Sequence, residues 1–198
     1  MLLNISSRQH LITINGFTFS EQLIYYEAGD SSIDDSGLIS TQGSAKLQAT
    51  VGLNVSLDDR INPDFARGNR FVASIDGVIV PRGVLRIRSS HYDIKLRILS
   101  LQLCDILTLL TQNQDESDAE VCLGTATPVT TVINILLAKA GAPPLIDAIP
   151  GAIQLPPQSG NLIQTCGKIA WETGYALYVD KNEYVRAVRI DLGNNRVE

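Results

Sequence analysis

From Ala45 to Leu57 apolar and polar side chains alternate without a break. Ala45, Leu47, Ala49, Val51, Leu53, Val55 and Leu57 form one row, and Lys46, Gln48, Thr50, Gly52, Asn54 and Ser56 the other. A period of two seals one row inside only if the backbone is extended. The segment therefore reads as a single strand, well beyond the usual ~5–6 residues. A one-residue slip would expose the whole apolar row, so the register is firmly set. The polar row is mostly uncharged and carries no catalytic pair. That fits the wall of a barrel or sandwich packed against other subunits better than the floor of an active site.

The same reading extends through the first half of the chain. Leu11–Asn15 and Leu23–Glu27 are expected as short strands around Gly16. Glu27–Gly43, rich in Asp, Ser and Gly, reads as a loop. Asn62-Pro63-Asp64 and Arg67-Gly68-Asn69 are turn chemistry. Arg70–Asp76 and Val78–Val80 flank Asp76-Gly77, a favoured hairpin turn. Gly83–Ser89 and Ile94–Leu101 read as a second pair around Ser90–Asp93, and Leu103–Leu110 as a short apolar helix.

The second half has a different texture. Gln112–Thr127 holds Asp115, Glu116, Asp118 and Glu120 with few large apolar residues before Val121, and reads as a solvated linker. It lacks the glycine and the spaced carboxylates of a calcium loop. A helix follows, with Thr127 as its cap, Pro128 in its first turn and Gly141 at its end. Val132, Ile135, Leu136 and Lys139 keep helical spacing. Ala142–Pro157 contains prolines at 143, 144, 150, 156 and 157 and should be a stiff extended connection. A second helix is expected over Asn161–Thr173, with Leu162, Cys166, Ile169, Ala170 and Thr173 on one face and Gly174 closing it. Tyr175–Val179 and Tyr184–Ile190 read as strands joined by Asp180-Lys181-Asn182-Glu183. The fold class is α+β: a mainly antiparallel β domain, barrel or sandwich, over 1–111, an acidic linker over 112–127, and a helix-loop-helix-hairpin domain over 128–198.

Composition narrows the function. The 198 residues carry a net charge of −5, which argues against a general nucleic-acid binder. The start of the chain lacks a basic stretch followed by an apolar run, so no secretory signal is expected. No apolar run approaches ~18 residues, so no membrane span is expected. Three widely spaced cysteines, Cys104, Cys122 and Cys166, suggest a reducing compartment without a disulfide framework.

Candidate chemistry is sparse. Asp58 and Asp59 are adjacent, so on a strand they point to opposite faces and make a poor catalytic dyad. They read instead as the start of a turn, with Arg60 nearby. His10 and His91 are the only histidines and neither has metal-ligand spacing. His91 reads as a hairpin-tip residue. Cys104 and Cys166 read as core thiols on apolar helix faces. No G-x-S-x-G, Walker or G-x-G-x-x-G pattern occurs. No catalytic residue, metal site or cofactor is therefore expected. Two surface features stand out. Arg86 and Arg88 share one strand face, and Lys95 and Arg97 alternate on the expected partner strand, giving a basic hairpin in an acidic protein. Trp171 lies off the main apolar row of its helix. These five residues are the candidates for contact with a partner.

Two stretches go beyond generic pattern. One runs from Ser56-Leu57-Asp58-Asp59-Arg60-Ile61-Asn62-Pro63-Asp64-Phe65 through Arg70-Phe71-Val72-Ala73-Ser74-Ile75-Asp76-Gly77 to Arg82-Gly83-Val84-Leu85. The other runs from Leu162-Ile163-Gln164 through Ile169-Ala170-Trp171-Glu172-Thr173-Gly174-Tyr175-Ala176-Leu177-Tyr178-Val179-Asp180. Together they resemble the baseplate hub proteins of bacteriophage tails, which are similar to the spike-bearing hubs of contractile injection systems. The resemblance implies a tail-tube-type β-barrel without catalytic residues. It implies a homo-oligomeric ring, trimeric by preference and hexameric as the other choice, in the baseplate of the virion. Such a ring joins the tail tube to the spike or tip, meets DNA only in passage, and has no membrane anchor. Complete hubs of this family are longer and carry two tube-like barrels. This chain is expected to be one half of a split hub or a shortened version. Two other classes fit the residues less well. A small tail-associated wall hydrolase would have to use Asp58, Asp59, His91 or Cys122. A carbohydrate-binding β module would need a grouped aromatic face, and only Tyr25, Tyr26, Tyr175, Tyr178 and Tyr184 are available.

Overall fold

The structure, a computed structural model, describes residues 10–14, 16–19, 23–48, 63–113 and 117–190. The chain forms two compact units. The first comprises Met1–Asp30 and Gln42–Cys104, and the second Ser31–Thr41 and Asp105–Glu198. The division thus falls at Cys104–Asp105, and the expected helix after Leu103 belongs to the second unit. Mostly antiparallel strands with three helices among the described residues make the chain α+β, as expected.

The strands are β1 (His10–Ile14), β2 (Phe17–Phe19), β3 (Leu23–Ile33), β4 (Ile39–Gln48), β5 (Arg70–Ile75), β6 (Val78–Asp93) and β7 (Ile98–Cys104). They form a seven-stranded sheet in the order β2-β1-β5-β6-β7-β4-β3. The alternation becomes packing directly: Ala45 lies opposite Leu101 and Leu47 opposite Leu99, all four buried, while Lys46 is exposed. Ile12 lies opposite Ala73, Ile14 opposite Phe71, and Phe71 opposite Leu85. Phe71 also stacks on Tyr26 with ring centroids 5.4 Å apart. Burial pushes the Tyr26 phenol up to about 12. The Asp76-Gly77 turn forms as read, with φ of 51° and 78°. A bulge follows between Val72 and Ser74. Gly83 faces it, where a Cβ would lie 2.6 Å from the Ala73 carbonyl oxygen.

Several expectations shift. The Glu27–Gly43 loop is instead the end of β3 and the start of β4, with only Asp34–Leu38 between them. Hydroxyls hold the two strands together, Ser31 with Thr41 at 3.0 Å and Ser32 with Ser40 at 3.3 Å. Val78–Val80 and Gly83–Ser89 are one strand, which runs on through the expected Ser90–Asp93 turn to Asp93. Leu103 and Cys104 complete β7, so Cys104 is a buried strand thiol. Of the long Ala45–Leu57 strand, Ala45–Gln48 are seen in β4. The remainder, together with Asp58, Asp59 and Arg60, lies outside the described residues.

The second unit contains α1 (Ile106–Asn113), β8 (Ser117–Pro128), α2 (Val129–Lys139), β9 (Ala152–Gly160), α3 (Leu162–Glu172), β10 (Tyr175–Val179) and β11 (Val185–Arg189). Val132, Ile133, Leu136 and Leu137 of α2 share a core with Leu162, Ile163, Cys166 and Ala170 of α3. Leu107, Leu177 and Val185 belong to the same cluster. Asn161 caps α3 by accepting the Gln164 N–H at 3.1 Å. Gly141 ends α2 as read: its φ is 70°, its N–H donates to the Ala138 oxygen, and the Ala142 N–H donates to the Leu137 oxygen.

The acidic linker is a correction. Ser117–Pro128 is a strand paired antiparallel with β9 through three register shifts. Ladder hydrogen bonds are made by the backbone, so acidic and small residues do not prevent pairing. Thr127 does not cap α2, because its hydroxyl donates to the Thr125 oxygen at 3.0 Å. Pro128 stands in the cap position without a side-chain bond. The proline-rich connection is extended only in part. Leu145 bridges Val185 in parallel, and Pro156 and Pro157 are built into β9.

Candidate assembly surfaces

The basic hairpin is rearranged by register. Arg86 is half-buried on β6, opposite Arg70 and Cys104, and donates to the Gly68 oxygen at 3.1 Å. Arg88 falls in the bulge between Ile87 and Ser89. Lys95 and Arg97 are not on the partner strand, but in the Ile94–Arg97 turn between β6 and β7. The four residues therefore do not share one strand face. The Asp93 carboxylate starts this turn, accepting the Lys95 N–H at 2.9 Å and the Leu96 N–H at 3.0 Å. That side-chain preference was the signal in the sequence for where the turn lies. Ile94 is 56% and Leu96 63% exposed. The Gln48 amide donates to the Leu96 and Arg97 carbonyls at 3.4 and 3.2 Å, bracing the turn from β4. Register also brings two residues that the sequence did not group. Lys46 lies opposite Ser100, and Ser100 opposite His91, on the solvent side of the sheet beside the turn. His91 is thus a strand residue rather than a hairpin tip.

Trp171 sits on α3 and is 39% exposed. Its inner side covers backbone: a Cβ on Gly37 would lie 2.8 Å from the Trp171 Cβ. One helical turn earlier, a Cβ on Gly167 would lie 2.3 Å from the Ser36 oxygen. The Asp34–Leu38 turn therefore packs directly on α3. The Asp34 carboxylate shapes it, accepting from the Ser36 N–H at 2.9 Å, the Ser36 hydroxyl at 2.6 Å and the Leu38 N–H at 3.0 Å. The Leu177 N–H donates to the Gly37 oxygen at 3.2 Å.

Asp105 escaped the sequence reading. It is buried immediately before α1. Its carboxylate accepts the Thr41 N–H at 2.6 Å, the Thr108 N–H at 2.8 Å and the Thr108 hydroxyl at 2.8 Å. Burial raises its pKa, and the donors from Thr108 and Thr41 only partly offset the rise. An Asp ahead of an apolar helical run is a cap signal. Its role in tethering Thr41 had no such signal.

The remaining chemistry is dispersed. Cys104 and Cys166 are buried free thiols, and Cys122 is exposed on β8. The Cys166 thiol donates to the Ile133 oxygen at 3.7 Å and is pushed up by burial. His10 pairs in register with Ile75 on β1. A groove of about 470 Å³ between β9 and α3 is lined by Gln154, Gln158, Gln164, Lys168 and Glu172, without a nucleophile and base in reach of each other. A smaller one of about 180 Å³ adjoins Asp34, Ser40 and Asp105. Among the described residues no group of three or more His, Cys, Asp or Glu is placed to hold a metal. No helix among them is long and apolar enough to cross a membrane.

The sequence matches no protein-family model and no curated protein. The fold, in contrast, is shared with solved tail proteins. The 43 kDa tail protein of prophage MuSo2 from Shewanella oneidensis superposes over 92% of this chain with a TM-score of 0.59 and 12% identity. The tail protein from Neisseria meningitidis MC58 superposes over 91% with a TM-score of 0.56 and 19% identity. This chain spans 55% and 50% of their lengths, about half of each. At these identities the likeness is one of fold.

Proposed function

We propose that this chain is a non-enzymatic structural component of a bacteriophage tail baseplate, a hub-ring subunit that joins the tail tube to the spike or tip and lines the DNA channel. One observation carries the reading: more than nine-tenths of the chain shares its fold with two tail proteins. The seven-stranded sheet supports a tail-tube-type barrel packed side by side with its copies. Long strands with fixed inner rows give such a wall a set shape. The net charge of −5 suits a channel surface that repels DNA phosphates and lets the genome slide. In this reading Arg86, Arg88, Lys95, Arg97 and the exposed part of Trp171 meet neighbouring subunits. The ring is threefold by preference, with sixfold as the other choice.

Native mass measurement of the purified chain, alone and mixed with the products of adjacent genes, tests the proposal. Closed assemblies of three or six copies are expected. A single copy under both conditions would overturn it.

A further inference from the structure

Two exposed surfaces of opposite charge stand on braced backbone. The first is the β6–β7 turn. Ile94 and Leu96 are more than half exposed, and Lys95 and Arg97 beside them are exposed as well. The Asp93 carboxylate, engaged by the Lys95 and Leu96 N–H groups, and the Gln48 amide hold the backbone beneath them. The second is the crossing of the Asp34–Leu38 turn over α3. Ile33 is 49% exposed and Trp171 39%. Asp35 and Glu172, within two residues of them, are exposed too. Turn and helix are pressed together at Gly37 and Gly167, where an added Cβ would lie 2.8 Å from the Trp171 Cβ and 2.3 Å from the Ser36 oxygen. Ile33 and Asp35 therefore stand at the same crossing as Trp171 and Glu172. The Asp34 carboxylate is used within its own turn. Among the described residues, Asp35 and Glu172 have no ion pair, nor do Lys95 and Arg97. Glu172 does not pair even with Lys168, one helical turn earlier.

We infer that these are the two halves of one contact between copies: the β6–β7 turn of one subunit docks on the surface of Ile33, Asp35, Trp171 and Glu172 of the next. Trp and Arg are foremost among the residues that carry binding energy at interfaces. The exposed part of the Trp171 indole offers a ring face to the Arg97 guanidinium and apolar area to Ile94 and Leu96. Asp35 and Glu172 offer carboxylates to Lys95 and Arg97. The acidic half repels anionic lipid and nucleic acid. It suits a protein surface that is apolar and cationic together, and this chain carries one. Both halves are held before they meet, so little backbone ordering opposes binding. The two surfaces differ, so the contact is head-to-tail, the arrangement that builds rings. This inference rests on the ring reading and specifies which of its contact residues face each other.

Trp171 is the only tryptophan in the sequence, so its fluorescence reports on the contact. The test is tryptophan emission with native mass measurement on the full chain over a dilution series. In the parent, emission should shift to the blue as copies associate. Lys95→Glu with Arg97→Glu, and Asp35→Lys with Glu172→Lys, should each weaken self-association about tenfold or more, as loss of an interface hot spot does. Each should keep the emission of the single copy at concentrations where the parent has shifted. Combining the two pairs restores charge complementarity and should recover most of the association and of the shift. Ile94→Ser with Leu96→Ser removes the apolar half and is read in the same way. Melting temperature shows which variants are folded, and loss of folding in one leaves the others to decide. Folded variants that assemble as the parent does, or a parent that assembles with unshifted Trp171 emission, overturn the inference and leave the ring standing. A parent chain that stays single, alone and mixed with the products of adjacent genes, overturns both. An emission shift that appears only on mixing with those products would assign the Trp171 surface to a different protein and also overturn the inference.

Discussion

The two units are stabilised by different kinds of contact. In the first, the core residues come almost entirely from strands: Ile12, Ile14, Ala45, Leu47, Phe71, Ala73, Leu85, Ile87, Leu99, Leu101 and Leu103, with Phe65 added from a short 3-10 turn over Pro63–Phe65. Each makes a share of one sheet face. In the second, the core is centred on α2 and α3, and the unit also has points where single atoms decide the fit, at Gly167, Gly37 and Asp105. A sheet face distributes its tolerance over many residues. A helix laid on a peptide turn concentrates its constraints at the crossing. The two buried clusters have no member in common, so a substitution in one should act first on its own unit.

The largest test of this contrast is Phe71→Ala. It empties a fully buried position and removes the Tyr26 stack, and should cost about 3–5 kcal/mol. Hydrogen exchange read peptide by peptide should show the loss in β1, β5 and β6. Equal loss in α2 and α3 would mean that the units open as one, and the contrast would fail.

Gly167→Ala comes next. In an open helix this change would stabilise by up to about 1 kcal/mol. Here the added methyl meets the Ser36 carbonyl, and overpacking of roughly 3 kcal/mol is expected, centred on the Asp34–Leu38 turn. A raised melting temperature would show that the turn yields freely.

Asp105→Asn should cost less, roughly 1–2 kcal/mol, because the amide keeps one acceptor for the three donors. The pH dependence gives it a signature. The folded-state pKa of Asp105 lies above its ordinary 3.8, so folding disfavours the charged form. Its stabilising share is fullest below pH 3.8 and declines as pH rises through the folded value. Chemical denaturation across that range should show the parent losing stability relative to Asp105→Asn.

Asp147 makes the smallest and opposite case. Its carboxylate accepts from Arg186 at 2.8 and 2.9 Å and from the Ala187 N–H at 2.9 Å, and its pKa is lowered, chiefly by Arg186. Its contribution is present above pH 3.8 and is lost as pH falls through the depressed value. The stability difference between parent and Asp147→Asn should shrink in acid. A difference that grew in acid would contradict the ion pair.

Local signals were read well. The Asp76-Gly77 turn, α3 between Asn161 and Gly174, and the β10–β11 hairpin each depend on residues a few positions apart. The hidden elements depend on distant ones. β8 is acidic and β9 holds two prolines, so neither has the composition of a strand until they pair. The β3–β4 hairpin is rich in Ser, Thr and Asp and looks like a loop until its hydroxyls meet across it. The basic hairpin was misplaced because a bulge is a two-against-one count, visible only from the partner strand.

Read alone, the chain determined its α+β class, the inner placement of Ala45 and Leu47, and the C-terminal ends of α2 and α3 at Gly141 and Gly174. These follow from periodicity and from capping chemistry, which act over a few residues. Tertiary structure alone decided that Lys46 and His91 flank Ser100 across β4, β7 and β6. It also decided that Asp105 holds Thr41, 64 positions away. Such pairings are set by backbone hydrogen bonding between segments, which any side-chain pattern with a suitable inner row permits and none specifies.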